Sequence, residues 1–208
     1  MQLGHYFKEN YYFIEYNALP ENLLLQKNKF HTNLLQAVDC IESNNKYYVV
    51  YPFIQNKYDL MKLEYNDKYT KIKQIVDVIR VLHDENLIHG DIQRRNILID
   101  EDIHLIDLET LSINDTISTQ FLKVPELVYG GNLNKQTDIY MLCLLIYEVL
   151  NESVIPILKT PLASICYYNT LQPVRNRLNK TLFDVIQTGL SPNPLERKVD
   201  VQEIYNSF

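Results

Sequence analysis

Asp91 and Asn96 lie five residues apart in the run HGDIQRRNILID, residues 89–100, with His89 before them and Arg94 and Arg95 between them. A carboxylate at such a point can serve as a general base. The two guanidiniums bring fixed positive charge to the same few residues. The run then turns abruptly into Ile97-Leu98-Ile99, an apolar stretch that reads as a short strand heading for a core. Polar groups mounted on an apolar anchor suit a loop held rigidly at a site of charge. The plain alternative is a polar turn in which Asp91 and Asn96 bond nearby backbone.

The elements around this run change character along the chain. GHYF and YYFIEYN are aromatic-rich runs separated by KEN, which predicts a hairpin. Pro20 then opens PENLLLQKNKFHTNLLQAV, where Leu23, Leu24, Phe30, Leu34 and Leu35 fall roughly on one helical face. VDCIES and KYYVVYPFI follow as two more strands, split by SNN. After Gln55 the pattern becomes mostly helical. Ile72, Ile75, Val76, Ile79 and Leu82 predict an amphipathic helix over Tyr69 to Asn86. NILID and IHLIDL predict short strands around an Asp100-Glu101-Asp102 turn. Ile139 to Leu150 is apolar nearly all round, as in a buried helix, and two further helices are expected over Leu178 to Leu190 and Val199 to Asn206. A small β-rich lobe, 1–55, thus joins a larger helical lobe, 56–208, near Pro52 to Tyr58, within one domain spanning 1–208.

Composition narrows the functional classes. A net charge of −6 argues against a general nucleic-acid binder, whose footprint would be basic. The longest apolar stretch is interrupted by Glu148, so no membrane span is expected. Met1 to Tyr12 has no basic region followed by an apolar one, so no signal peptide is read. Cys40, Cys143 and Cys166 lie far apart with no CxxC, which suits reduced thiols in a cytoplasmic protein. The 16 tyrosines read as packing rather than as a stacking platform for bases.

LHDENLIHGDIQRRNILID, Leu82 to Asp100, resembles the catalytic loop of the protein-kinase-like superfamily. A His-x-Asp-x4-Asn string alone is a weak signal. Four further landmarks follow in the family's order: LID at Leu105 to Asp107, VPE at Val124 to Glu126, QTDIYMLCLLIYEVL led by Asp138, and LSPNPLERKVDVQEI containing Arg197. The resemblance covers residues 38–208 well and the first 37 poorly. It implies an α+β bilobal kinase-like fold, with a reduced β-rich N-lobe, a mainly helical C-lobe, and ATP and Mg²⁺ as cofactors. Phosphoryl transfer needs positioning and charge neutralisation more than covalent chemistry from the protein. The resemblance makes Asp91 the group that orients the acceptor hydroxyl, and Asn96 and Asp107 the hard oxygen ligands of Mg²⁺. It gives Asp138 a supporting role toward loop backbone, pairs Glu126 with Arg197, and uses His89 to brace the loop. His83 is read as a packed helix-end residue.

The departures from the pattern matter as much. Gly4 is the only glycine before Gly90, so the G-x-G-x-x-G phosphate-covering loop is absent. Lys8 is the candidate for the phosphate-contacting lysine and Glu21 for its helix partner, although both fit the pattern poorly. Gly90 stands where many members have an arginine that docks a phosphorylated activation segment. Gln93 replaces a lysine of Ser/Thr kinases. Arg95 falls where tyrosine kinases carry an arginine and could supply positive charge at the γ-phosphate.

Three functions follow from the resemblance. The first is a compact, atypical protein kinase transferring phosphate from ATP to a protein Ser/Thr or Tyr hydroxyl. The second is a pseudokinase that binds or scaffolds a regulatory protein partner. The third is a small-molecule kinase of aminoglycoside or choline type, which the variants His-Gly-Asp and Asp-Leu-Glu at residues 89–91 and 107–109 resemble.

Overall fold

The computed structural model describes residues 2–8, 10–19, 31–108, 124–128, 131–152, 166, 169–170 and 178–208. The N-terminal part is a four-stranded antiparallel sheet in the order β1-β2-β4-β3. Strands β1 (Gln2–Lys8) and β2 (Tyr11–Tyr16) form the expected hairpin, with Lys8 opposite Tyr11. Strands β3 (Asp39–Ser43) and β4 (Lys46–Pro52) form a second. Asn44 and Asn45 join them with φ of 51° and 58°, the left-handed pair that a tight two-residue hairpin needs and asparagine tolerates.

Between the hairpins, the part of the expected helix that falls on described residues is not formed. Residues 31–38 are not helical. Asn33 donates from Nδ2 to the Ile103 carbonyl at 2.8 Å, Leu105 N donates to Asn33 O, and Leu35 N donates to Leu105 O. These bonds engage backbone groups that a helix would need, and they seat Leu34 in the core at 4% exposure. Leu23, Leu24 and Phe30 lie outside the described residues.

Helix α1 (Tyr65–Asp84) turns Ile72, Ile75, Val76, Ile79 and Leu82 inward, all fully buried. It stops at Asn86, whose φ is 57°, with Leu87 N bonded to Leu82 O and Asn86 N to His83 O. That pattern is a Schellman ending, and it launches the chain into the HGD run. Strands β5 (Ile97–Ile99) and β6 (Ile103–Leu105) pair antiparallel. The segment after β4 is pinned to them, because Lys57 N donates to Ile99 O and Ile99 N donates to Asn56 Oδ1.

The short helix α2 (Pro125–Val128) precedes α3 (Lys135–Leu150), which begins at an Asn134 capping box closed by Thr137. Every residue of α3 from Thr137 to Leu150 is buried, as its all-round apolar sequence predicts. Helices α4 (Lys180–Gly189) and α5 (Val201–Ser207) complete this part, α5 opening on a second capping box made by Asp200 and Glu203. Among the described residues, no helix is long and apolar enough to cross a membrane.

Candidate active site

Asp138, near the start of α3 and fully buried, organises the HGD run from below. Its Oδ2 accepts from His89 N at 2.8 Å and its Oδ1 from Gly90 N at 2.9 Å. Gly90 has a φ of 81°, a conformation that L side chains avoid. Glycine, where many members carry an arginine, adopts this conformation without strain. The same Asp138 Oδ2 lies 3.0 Å from His83 Nε2 on the last turn of α1. His83, read from sequence as mere packing, is therefore bound to the residue that holds the loop. Fifty-five positions separate the two, and no spacing rule links them.

His89 is completely buried, and burial pushes its imidazole below its ordinary value of 6.5. The carboxylates of Asp138, Asp91 and Asp107 and the Ile106 backbone favour its protonated form but do not overcome that burial. Its Nδ1 accepts from Asp91 N at 3.2 Å, which places the proton of the neutral ring on Nε2. His89 braces the loop as a neutral ring.

Asp91 is 5% exposed and held on several sides. Gln93 donates to its Oδ1 through Nε2. Asn96 donates through Nδ2 to the Asp91 main-chain oxygen at 2.9 Å and to Oδ2 at 2.7 Å. Arg95 is half-exposed, its guanidinium 3.6 Å from Oδ2. These contacts fix the carboxylate in one orientation and compensate its charge.

The same bonds settle the direction of Asn96. With Nδ2 committed to Asp91, the amide oxygen is the atom of Asn96 suited to a hard cation. Ile106 N donates to Asn96 O at 2.9 Å, so Asp107, the next residue, is delivered beside Asn96. Asp107 is exposed and has a φ of 58°, a strained choice for a side-chain-bearing residue that clusters at functional sites. One carboxylate and one amide oxygen, with phosphate oxygens and water completing the shell, fit Mg²⁺, which keeps several non-protein ligands. Among the described residues, no group of three or more His, Cys, Asp or Glu could hold a metal ion without such help.

Lys8 ends the edge strand β1 with its side chain exposed, and Glu21 lies outside the described residues. The buried carboxylate of this sheet is instead Glu15 on β2, 3% exposed, with Lys46 Nζ 2.5 Å from it. This pair is not legible in the sequence because strand register, which sets Glu15 opposite Tyr48, is a tertiary quantity. Arg94 is not simply solvated either, since its Nε lies 3.5 Å from Glu148 on α3.

Below the loop, Arg197 is fully buried and grips both carboxylate oxygens of Glu126 at 2.7 Å. It also donates to Ser191 O and Gln136 O and lies 4.6 Å above the Tyr140 ring. This bidentate pair ties α2 to the segment before α5.

Comparison with known proteins agrees with this architecture. A protein of Acanthamoeba polyphaga mimivirus named as a putative serine/threonine-protein kinase is 33% identical over 151 residues, 61% of this chain and 54% of that one. The hormonally up-regulated neu tumor-associated kinase of Homo sapiens is 25% identical over 201 residues, 86% of this chain and 28% of its own. The chain therefore spans about half the length of the first relative and less of the second. The profile of the protein kinase domain matches residues 7–206, and the chain belongs to the protein kinase family.

Proposed function

We propose that the chain transfers the γ-phosphate of ATP to a protein serine or threonine hydroxyl. The observation that carries this reading is the linked geometry of Asp91, Asn96 and Asp107. One amide orients the carboxylate of Asp91, and one backbone bond sets Asp107 beside that amide. Asp91 orients the acceptor hydroxyl and takes its proton. Asn96 and Asp107 hold Mg²⁺, which when bound neutralises charge on the phosphate oxygens. Arg95, half-exposed beside Asp91, adds positive charge where the γ-phosphate would lie. The serine/threonine assignment rests on the name of the mimiviral relative. The bidentate Glu126–Arg197 pair and the Asp138 support favour a protein substrate over a small molecule, because both belong to the protein-kinase pattern. We read residues 1–208 as one domain in two lobes, and its free cysteines suit a cytoplasmic setting.

A second reading, a pseudokinase that binds a regulatory partner, is favoured by the exposed Lys8 and by Glu15 pairing within its own sheet. A thermal-shift titration with ATP, with and without Mg²⁺, separates the two. Ligand at a hundred times its Kd stabilises the fold by about 2.7 kcal/mol. A Mg²⁺-dependent shift that disappears in Asp107→Ala supports the enzyme. No shift at millimolar ATP overturns it in favour of the binding module.

A further inference from the structure

Among the described residues, two stretches lead from the N-terminal sheet to the helical part, 31–38 and 53–58, and both are bonded to the same small hairpin. Asn33 Nδ2 donates to Ile103 O on β6 at 2.8 Å. Asn56 Oδ1 accepts from Ile99 N on β5, also at 2.8 Å. Ile99 and Ile103 face each other in the β5–β6 register, so two asparagine side chains hold one residue pair from its two outer edges. Backbone bonds reinforce each grip. Leu105 N donates to Asn33 O and Leu35 N to Leu105 O on one side, while Lys57 N and Tyr58 N donate to Ile99 O on the other.

The far ends of both connectors are bonded to the sheet, through Val38 N to Val50 O and Phe53 N to Asn10 O. The hairpin between them carries the candidate metal ligands. Asn96 directly precedes β5, and Asp107 follows β6 after Ile106. The bond from Ile106 N to Asn96 O closes these two ends. Sliding either strand therefore changes the separation of the two oxygen ligands, and Mg²⁺ tolerates little departure from octahedral geometry. Asn33 is buried, where an amide costs desolvation that an apolar side chain would not. What the amide supplies in return is a directional bond that fixes register.

We infer that Asn33 and Asn56 are positioning residues that set the spacing of Asn96 and Asp107 by clamping the hairpin on which both are mounted. Because the same connectors hold the sheet, they also tie that spacing to the N-terminal part. This inference rests on the Mg²⁺-binding reading above. Neither asparagine touches the metal; each acts through the backbone of β5 or β6.

One substitution made at both positions tests it, because the two bonds run in opposite directions. Asn33→Asp puts an acceptor where a donor is needed, whereas Asn56→Asp keeps the accepting oxygen. Thermal shift is followed while Mg²⁺ is titrated at fixed ATP, with no turnover required. Asn33→Asp and Asn56→Leu are each expected to raise the half-saturating Mg²⁺ concentration about tenfold, as loss of groups that orient metal ligands does elsewhere. Asn56→Asp should restore what Asn56→Leu loses. A purely structural role would lower the melting temperature without moving the Mg²⁺ midpoint, and that result overturns the inference. Hydrogen exchange in the ligand-free protein is the second readout. The Ile106 amide should exchange faster in Asn33→Asp and Asn56→Leu than in the wild type and Asn56→Asp. If Asn33→Asp does not fold, Asn56→Leu, at an exposed position, carries the same test. A wild type with no Mg²⁺-dependent shift counts against the transfer reading, and Ile106 exchange then decides the clamp by itself. Exchange there that is unchanged in the variants overturns it.

Discussion

Around α1 and α3 a continuous apolar core buries dozens of side chains, and Asp138 and Asn96, which position the HGD run, bond directly to it. The N-terminal sheet, by contrast, has a core cluster of only Ala37 and Val49, helped by Tyr16, Cys40 and Tyr51, among the described residues. Ile41 and Val38 stand largely exposed near its β3 edge. The contrast suits the proposed phosphoryl transfer. Groups that orient a hydroxyl and hold a cation must be fixed to fractions of an ångström, and a dense core supplies that rigidity. Lys8, the candidate for nucleotide contact, sits on the thin side. Packing is concentrated where the proposed oxygen ligands are.

The sharpest way to break this contrast is to cut the helical part at its buried ion pair. Arg197→Met leaves Glu126 uncompensated and should cost about 3–5 kcal/mol, read as a lower urea midpoint. Asp91→Ala and Asp107→Ala should each lower phosphate transfer at least about a hundredfold, equivalent to roughly 2.7 kcal/mol, while leaving the fold intact. Retained turnover in either variant would reject the site assignment.

Gly189→Ala probes packing in the same part. A Cβ there would press into Cys143 Sγ, on a thiol that burial pushes up to about 12. Overpacking of this kind costs about 1–3 kcal/mol, and the added change Cys143→Ala should recover much of it. The neutral, buried His89 gives a pH signature. Its folded value lies below 6.5, so below that pH the unfolded chain takes up a proton that the folded chain resists. Stability is therefore full above about pH 6.5 and falls on acidification, by at most about 1.4 kcal/mol per pH unit from this group. His89→Gln should flatten that slope in urea titrations from about pH 7.5 to about pH 5. The smallest effect belongs to the sheet edge, where Ile41, 44% exposed, should accept lysine within about 0.5 kcal/mol. A loss of several kcal/mol there would show that this edge is covered.

Local pattern carried a large share of the fold. The period of Ile72, Ile75, Val76, Ile79 and Leu82 marks α1, the all-round apolar run marks α3, and the paired asparagines mark the β3–β4 turn. These signals are legible because helix periodicity and turn chemistry act over a few residues. Residues 31–38 break the rule, since LLQAV looks helical but long-range bonds to Ile103 and Leu105 prevail. Local propensity is worth tenths of a kcal/mol per residue, and a tertiary pairing that buries Leu34 outweighs it.

The chemistry divides along the same line. Which groups are available is written in the chain: a carboxylate, an amide and a second carboxylate, in an order shared with a family of phosphotransferases. The lack of a glycine-rich turn before Gly90 is written there too. What those groups do to one another was set by the packed fold. Asn96 keeps its oxygen turned from Asp91 because Asp91 takes its Nδ2, and His83 joins the support because α1 ends against Asp138. Arg94 neutralises Glu148 because the loop lies on α3. Such couplings depend on distances between residues far apart in the chain, and a distance exists only once the core has packed.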